Sequence, residues 1–169
     1  MKHRGFTVVE LIVVISIMGI LLTLGTISLT GLMANGRDSE RKGDVEAIAM
    51  HLENYYRSHE GIYPSDGDFG FYDDNDIPKI LPDIDPKSLS APGTGESFRS
   101  AGNVNIPASL SQNEYVYQPF YLDNSVNPSV WKWCEDSDTQ KCRKYNLYYK
   151  VEGSSCGIDK VCIVESKNQ

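Results

Sequence analysis

An uncharged run near the N-terminus constrains this chain more than any other feature. Residues 11–34 contain no Asp, Glu, Lys, Arg or His. At about 1.5 Å per residue, a helix of that length is about 36 Å long, enough to cross the ~30 Å hydrocarbon core of a bilayer. A surface helix of a soluble protein would carry a polar face, and here only hydroxyls supply any polarity: Ser16, Thr23, Thr26, Ser28 and Thr30. The run therefore predicts a membrane-spanning helix.

The residues before the run have the reverse order of an ordinary secretory signal. In such a signal the basic residues come first, a short apolar stretch follows, and the cleavage site comes last. Here Lys2 and Arg4 are followed directly by GFTVVE at residues 5–10, and the long apolar run comes afterwards. The pattern G-F-T-x-x-E before an apolar helix resembles the signature of type IV prepilins.

This resemblance implies how the N-terminus is processed. In that family a prepilin peptidase in the membrane cuts between Gly and Phe and methylates the new amine. Here the cut would fall between Gly5 and Phe6 and remove a leader of residues 1–5, with methylation at Phe6. The apolar half, residues 6–34, would stay on the mature chain. Ordinary secretion with cleavage after Ala-Asn-Gly at residues 34–36 is the alternative that would discard it.

Glu10 is the one acidic residue within the motif. The resemblance implies that its carboxylate pairs with the amine of Phe6, in the same subunit or in a neighbour, and sets the register of assembly. The alternative is that Glu10 lies at the headgroup level, where a negative charge also suits the helix N-terminus. An unpaired charge at the centre of a membrane helix costs about 2.5 to 3.5 kcal/mol, which favours a partner for the carboxylate.

The helical pattern continues beyond the run with a single apolar face. Val45, Ile48 and Leu52 recur at spacings of three and four, which predicts an amphipathic half over residues 35–60. Its first part, residues 37–46, carries charges of both signs and is expected to be solvated. Gly61 and Pro64 predict the end of the helix. The sequence L-x-x-Y-Y-x-x-x-x-G-x-Y-P at residues 52–64 resembles a second hallmark of pilins.

The rest of the chain predicts a connecting region followed by a sheet. Residues 61–113 are rich in Gly, Pro, Ser and Asp and indicate a variable connecting loop with a short helix near residues 77–81. Residues 114–169 predict an antiparallel sheet with strands at 114–121, 145–151 and 160–165, one face on the helix and the other in water. The predicted fold class is α+β, and by resemblance the pilin fold.

Four cysteines lie in the C-terminal part: Cys134, Cys142, Cys156 and Cys162. An even number in an exported domain predicts two disulfides in an oxidising compartment. Three pairings are open, and we favour the sequential one, 134–142 with 156–162, because it closes short loops. Zinc is disfavoured, since the spacing lacks a C-x-x-C motif and no His lies nearby.

An acidic cluster in the connecting region makes calcium a candidate ligand. Its residues are Asp66, Asp68, Asp73, Asp74 and Asp76. Some pseudopilins bind calcium, but the spacing does not match an EF-hand loop, so a solvated acidic loop is the first interpretation. We therefore expect no cofactor, with calcium as the weaker alternative. The formal charge of −7 argues against a nucleic-acid partner.

No hydrolase, phosphate-loop or zinc-protease motif is present in the sequence, and His51 and His59 are predicted to be surface or interface residues. The prediction is therefore a structural subunit and not an enzyme. By resemblance it would assemble into a homo-oligomeric helical filament with the help of a prepilin peptidase, an assembly platform and an ATPase motor. Its precursor would span the cytoplasmic membrane once with the body outside, and the product would be a cell-surface filament. The alternatives are a minor pilin, a type II secretion pseudopilin, or a membrane-tethered adhesion domain that does not polymerise.

Overall fold

A long helix, α1, runs from Val8 to Ser58, and its C-terminal half packs on a β-sheet. The computed structural model describes residues 5–69, 77–93, 98–102, 106, 110–153 and 156–168, and only the backbone of residues 25–28 and 158. This arrangement confirms the predicted α+β fold class. The short helix expected near residues 77–81 is present as α2, Ile77–Ile80.

Five strands form the sheet within the described part of the chain. They are β1 (Phe98–Ser100), β2 (Tyr115–Asp123), β3 (Val130–Trp133), β4 (Cys142–Lys150) and β5 (Val161–Glu165). The order is β1-β2-β4-β5, and β3 pairs with β2. The three predicted strands correspond to β2, β4 and β5, with ends shifted by up to three residues.

The sheet differs from the predicted one in two ways. β1 lies in the segment predicted as a connecting loop, and it pairs with β2 in parallel, so the sheet is mixed and not purely antiparallel. The second difference is β3, which pairs antiparallel with the end of β2. β1 and β3 have only three and four residues, too few to show a periodic pattern in the sequence.

The main core lies between α1 and one face of the sheet. Val45, Ile48 and Leu52 are fully buried on the helix side, and Tyr117 and Leu147 are fully buried on the sheet side. Burial of each large apolar side chain contributes about 1.5 to 3 kcal/mol to folding. This contact fixes the C-terminal half of α1 on the sheet.

The opposite face of the sheet is also partly covered, which corrects the expectation that it meets water. Val116, Tyr148 and Val161 on that face form a second cluster with Ala101 and Leu110 from the predicted connecting loop. All five are buried. A loop that is polar in composition therefore still supplies apolar side chains to cover the sheet.

α1 ends where the backbone turns into left-handed geometry. The cap residue His59 is followed by Glu60 and Gly61, with φ angles of 55° and 76°. A Cβ at Gly61 would lie 3.2 Å from the side chains of Tyr56 and Arg143, so this position suits glycine both in its backbone angles and in its space. The turn brings the Tyr63 amide to the Cys142 carbonyl oxygen at 2.9 Å and so joins the helix end to β4.

Candidate functional site

The predicted processing site lies just outside the helix. Thr7 is the N-cap of α1, with extended backbone angles, and the helix begins at Val8. Gly5 and Phe6 are exposed, with 83 % of Phe6 accessible to solvent. The peptide bond between them is therefore not part of the helical hydrogen-bond ladder, and its cleavage would leave α1 intact.

Thr7 and Glu10 form a reciprocal capping box at the start of α1. The Thr7 amide donates to Glu10 Oε2 at 2.9 Å, and the Thr7 hydroxyl donates to the same oxygen at 2.7 Å. In return, the Glu10 amide donates to Thr7 Oγ1 at 3.3 Å. The carboxylate thus already holds the helix start in the uncleaved chain. Both bonds from Thr7 end on Oε2, so these contacts leave Oε1 for a donor from elsewhere.

The N-terminal half of α1 is largely exposed among the described residues. Its most apolar 18-residue window has a mean hydropathy of 2.6, and none of that window is buried. By length and composition, α1 is the one helix among the described residues that could cross a membrane. A continuous apolar surface of this size is unfavourable in water. This half therefore fits the membrane anchor of a precursor.

A charged junction joins α1 to the turn between β4 and β5, just after the apolar half. Arg41 is buried, and it contacts Asp38 at 3.1 Å and Glu152 at 2.7 Å. The Asp38 carboxylate accepts from the amides of Glu152 and Gly153 at 2.7 and 2.9 Å. The prediction that this part of the helix is solvated is therefore wrong for Asp38 and Arg41. Their burial depends on Glu152, more than a hundred residues away, so local sequence does not reveal it.

Arg37 completes the junction from the exposed side. Its Nε and Nη2 donate to the two carboxylate oxygens of Glu152 at 2.9 and 2.5 Å. The hydrogen bond from Arg37, followed by that from Arg41, lowers the pKa of Glu152 to about 2. Glu152 therefore stays charged at neutral and mildly acidic pH. The junction holds the sheet against the helix at the place where the uncovered half begins.

Glu53 is a second buried acidic residue that the sequence analysis did not single out. Its carboxylate accepts from the hydroxyls of Tyr63 and Tyr145 at 3.1 and 3.2 Å. It also accepts from the Lys167 amide at 3.0 Å and from Asn168 Nδ2 at 2.8 Å. Burial raises the pKa of Tyr63 to about 12, and the nearby Glu53 charge adds to the rise. Glu53 therefore ties the helix, the turn after it and the C-terminal residues together.

A signal for Glu53 does exist in the sequence. It follows Ala49 by four residues and precedes Tyr56 by three, so it lies on the buried face of the helix. A charged residue in phase with an apolar face indicates a buried partner.

Both cysteine pairs are disulfide-bonded in the structure, Cys134 with Cys142 and Cys156 with Cys162. This is the sequential pairing that the sequence analysis favours. The first bond joins the end of β3 to the start of β4, and both of its cysteines are fully buried. The second joins the segment before β5 to β5 itself.

Two of the five calcium candidates are described, and both carboxylates are bound by their own chain. Asp66 is buried and accepts from the Ser100 hydroxyl. Asp68 accepts from the Ser65 amide and hydroxyl at 2.7 and 2.8 Å. Asp73, Asp74 and Asp76 lie outside the described residues. Among the residues that are described, no three His, Cys, Asp or Glu side chains are placed to hold a metal ion. Calcium stays a prediction.

The comparisons with known proteins bear on the N-terminus. Residues 1–26 match the family model of the prokaryotic N-terminal methylation motif, which is the signal of type IV pilins and pseudopilins. The comparisons with curated proteins and with solved structures find no match. The motif confirms the resemblance of residues 5–10 to the prepilin signature. Beyond residue 26, no comparison with a known protein describes the chain.

Proposed function

We propose that this chain is a structural subunit of a type IV pilus-like filament, cut between Gly5 and Phe6 and assembled through the N-terminal half of α1. A single observation carries the proposal. The methylation motif at residues 1–26 runs into an apolar half-helix whose most apolar window is not buried by any of the described residues. The motif itself supports a pilin-like or pseudopilin-like precursor, and the filament is the step we add.

The cut would supply a partner for Glu10. Cleavage after Gly5 gives Phe6 a positively charged amine, one residue before the Thr7 that already binds the Glu10 carboxylate. Two opposite charges attract more strongly where apolar helices exclude water than in bulk solvent. Pairing with the amine of a neighbouring subunit would therefore favour one register of the helices.

Assembly would move the apolar half of α1 from lipid into a bundle of identical helices. Both surroundings are apolar, so the transfer does not expose the helix to water. The junction at Arg37, Arg41 and Glu152 would keep the sheet domain at a fixed angle to the helix during this transfer. Repeated copies of a rigid unit in one orientation build a helical filament.

The partners follow from the same proposal. The precursor would span the cytoplasmic membrane once, with the sheet domain outside, and would meet a prepilin peptidase, an assembly platform and an ATPase motor. The two disulfides support an oxidising compartment for the sheet domain. The proposed role is structural, as is typical of the pilin and pseudopilin class that the motif indicates.

A minor pilin or a type II secretion pseudopilin is the second candidate, since the matched motif is the signal of both classes. A membrane-tethered domain that never polymerises is the rival from another class. Electron microscopy of cells that express only this subunit with the assembly machinery separates a major pilin from the tethered domain. A major pilin forms long surface filaments, whereas a tethered domain forms none.

The test of the assembly site is the substitution Glu10→Ala. We expect filament yield to fall by at least tenfold, because the charge partner of the Phe6 amine is lost. Glu46→Ala is the matched control, since Glu46 lies on the same helix and its side chain is 63 % exposed. Normal filaments from the Glu10 variant, with peptidase cleavage unchanged, would rule out the register role.

A further inference from the structure

The loop closed by the second disulfide, residues 156–162, lies beside the charged junction. The Val151 amide donates to the Lys160 carbonyl oxygen at 3.1 Å, and Lys160 Nζ donates to the Glu152 carbonyl oxygen at 2.5 Å. Both bonds connect the loop to the chain that leaves β4. The same stretch of chain carries the Glu152 carboxylate and the Gly153 amide, which contact α1. The loop therefore supports the backbone on which the junction depends.

The backbone of this loop is held in left-handed geometry. Asp159 and Lys160 have φ angles of 56° and 62°, and neither is glycine. Two consecutive residues in this region are unfavourable, because the Cβ of an L-amino acid crowds the backbone carbonyl oxygen there. The loop is also tight, since a Cβ at Gly157 would lie 3.1 Å from the Val161 carbonyl oxygen. The disulfide and the pairing of β5 with β4 therefore hold the loop in a conformation that an open chain would relax.

The two disulfides differ in their access to solvent. Cys134 and Cys142 are both fully buried, so a thiolate in solution reaches neither sulfur without local opening. In the second pair, Cys162 is only 6 % exposed, whereas Cys156 is half-buried. Thiol–disulfide exchange needs access of a thiolate to one sulfur, and an accessible disulfide in a strained loop is reduced more readily than a buried one. Cys156 is therefore the position at which an external thiol can attack.

We propose that the disulfide between Cys156 and Cys162 is a redox-sensitive switch of the junction, opened by a small dithiol. A thiolate of the dithiol attacks Cys156 Sγ, forms a mixed disulfide and releases Cys162 as a thiolate. The second thiol of the reagent then displaces Cys156 and closes the reagent's own disulfide. The two cysteines thus gain two electrons and two protons, and the dithiol is oxidised by the same amount.

Opening the loop weakens the junction and leaves the rest of the fold in place. Once the disulfide is broken, Asp159 and Lys160 can leave the left-handed region, and the two bonds between Lys160 and residues 151–152 are lost. The backbone that carries the Glu152 carboxylate then has fewer restraints. The first disulfide joins β3 to β4 and is not affected. This switch lies within a single chain and does not depend on the proposed filament.

The order of reduction is the first test. The full-length precursor in detergent micelles is treated with increasing concentrations of dithiothreitol, and the free thiols are alkylated and located by mass spectrometry. We expect alkylation of Cys156 and Cys162 at a dithiothreitol concentration at least about tenfold lower than that needed for the first pair. The fully buried first pair is the internal control. Reduction of both pairs at the same concentration, or of the first pair earlier, overturns the proposal.

Hydrogen exchange of backbone amides, followed by NMR, is the second test. The amides of Val151, Glu152 and Gly153 donate across the loop and the junction, to the Lys160 carbonyl oxygen and the Asp38 carboxylate. After selective reduction of the second pair, these three amides should exchange at least about tenfold faster, because local opening costs less free energy. The Cys134 amide, which donates to the Pro119 carbonyl oxygen, is the control and should keep its rate.

A double variant tests the same switch without a reductant. Cys156→Ser with Cys162→Ser keeps the loop open, so its exchange rates at residues 151–153 should equal those of the reduced parent and should not respond to dithiothreitol. Circular dichroism checks that the sheet domain stays folded in the variant and in the reduced parent. Unchanged exchange at residues 151–153 with the second pair open contradicts the proposal, and so does loss of the whole fold, because the switch then acts on stability and not on the junction.

Discussion

Three acidic side chains, each bound by specific donors, account for much of how this chain is held together. Glu10 accepts from Thr7 at the helix start, Glu53 accepts from two tyrosines in the core, and Glu152 accepts from two arginines at the junction. Of the three, Glu53 is buried, and a buried carboxylate is favourable only with such partners, so losing the carboxylate leaves its donors unpaired. Substitutions at these residues are therefore informative.

Glu53→Ala is expected to destabilise the sheet domain by about 2 to 4 kcal/mol. The substitution leaves the buried hydroxyls of Tyr63 and Tyr145 without their acceptor and frees the residues at 167–168. Denaturant unfolding of the mature chain in detergent measures the change. Glu46→Ala is the control, because its exposed contact with Lys42 should contribute less than about 1 kcal/mol. Equal effects of the two substitutions would contradict the role of Glu53.

Glu152→Gln is expected to remove a pH-dependent part of the stability. The folded pKa of Glu152, about 2, lies below its ordinary value of 4.5. Its contribution is therefore fully present above about pH 4.5 and is lost as the pH falls through about 2. The difference in the free energy of unfolding between the parent and the variant should shrink over this range. Glu165→Gln, at an exposed site, serves as the control, and a difference that does not change with pH would contradict the account.

At the scale of elements, α1 consists of two halves with different surroundings. The most apolar window of the first half is not buried by any of the described residues, and the second half carries the buried face at Val45, Ile48 and Leu52. The periodicity of the sequence predicts this division, because each half has a pattern long enough to be recognised. The three longer strands are predicted for the same reason.

The short and distant features could not be predicted in the same way. β1 forms only because β2 offers a free edge, and its three residues carry no period of their own. The junction at Arg41 brings together residues separated by more than a hundred positions. The sequence around Arg41 therefore does not indicate its partner. The processing motif, by contrast, is contiguous at residues 5–10, so the candidate site at the N-terminus can be recognised from the sequence.

The two disulfides should contribute unequally to stability. Both close short loops, with sequence separations of 8 and 6. Each should stabilise the folded state by about 2 to 3 kcal/mol, because it restricts the conformations of the unfolded chain. Replacing Cys134 and Cys142 by alanine should cost about 1 kcal/mol more than replacing Cys156 and Cys162, because both cysteines of the first pair are fully buried, whereas Cys156 is only half-buried. Thermal unfolding of the two double variants measures the order, and the reverse order would contradict it.

At the scale of the whole molecule, the apolar half of α1 is joined to an acidic, disulfide-bonded sheet domain. The two parts suit different surroundings. The apolar half suits lipid or other apolar helices, and the sheet domain suits water. The proposed function follows from keeping both parts in one mature subunit, so the central claim is that maturation removes only the leader.

Mass spectrometry of the mature N-terminus, on protein taken from the cell surface, tests this claim most directly. The account predicts a chain that begins at a methylated Phe6 and retains residues 6–34. A mature chain that begins near Arg37, with the apolar half removed, would contradict it.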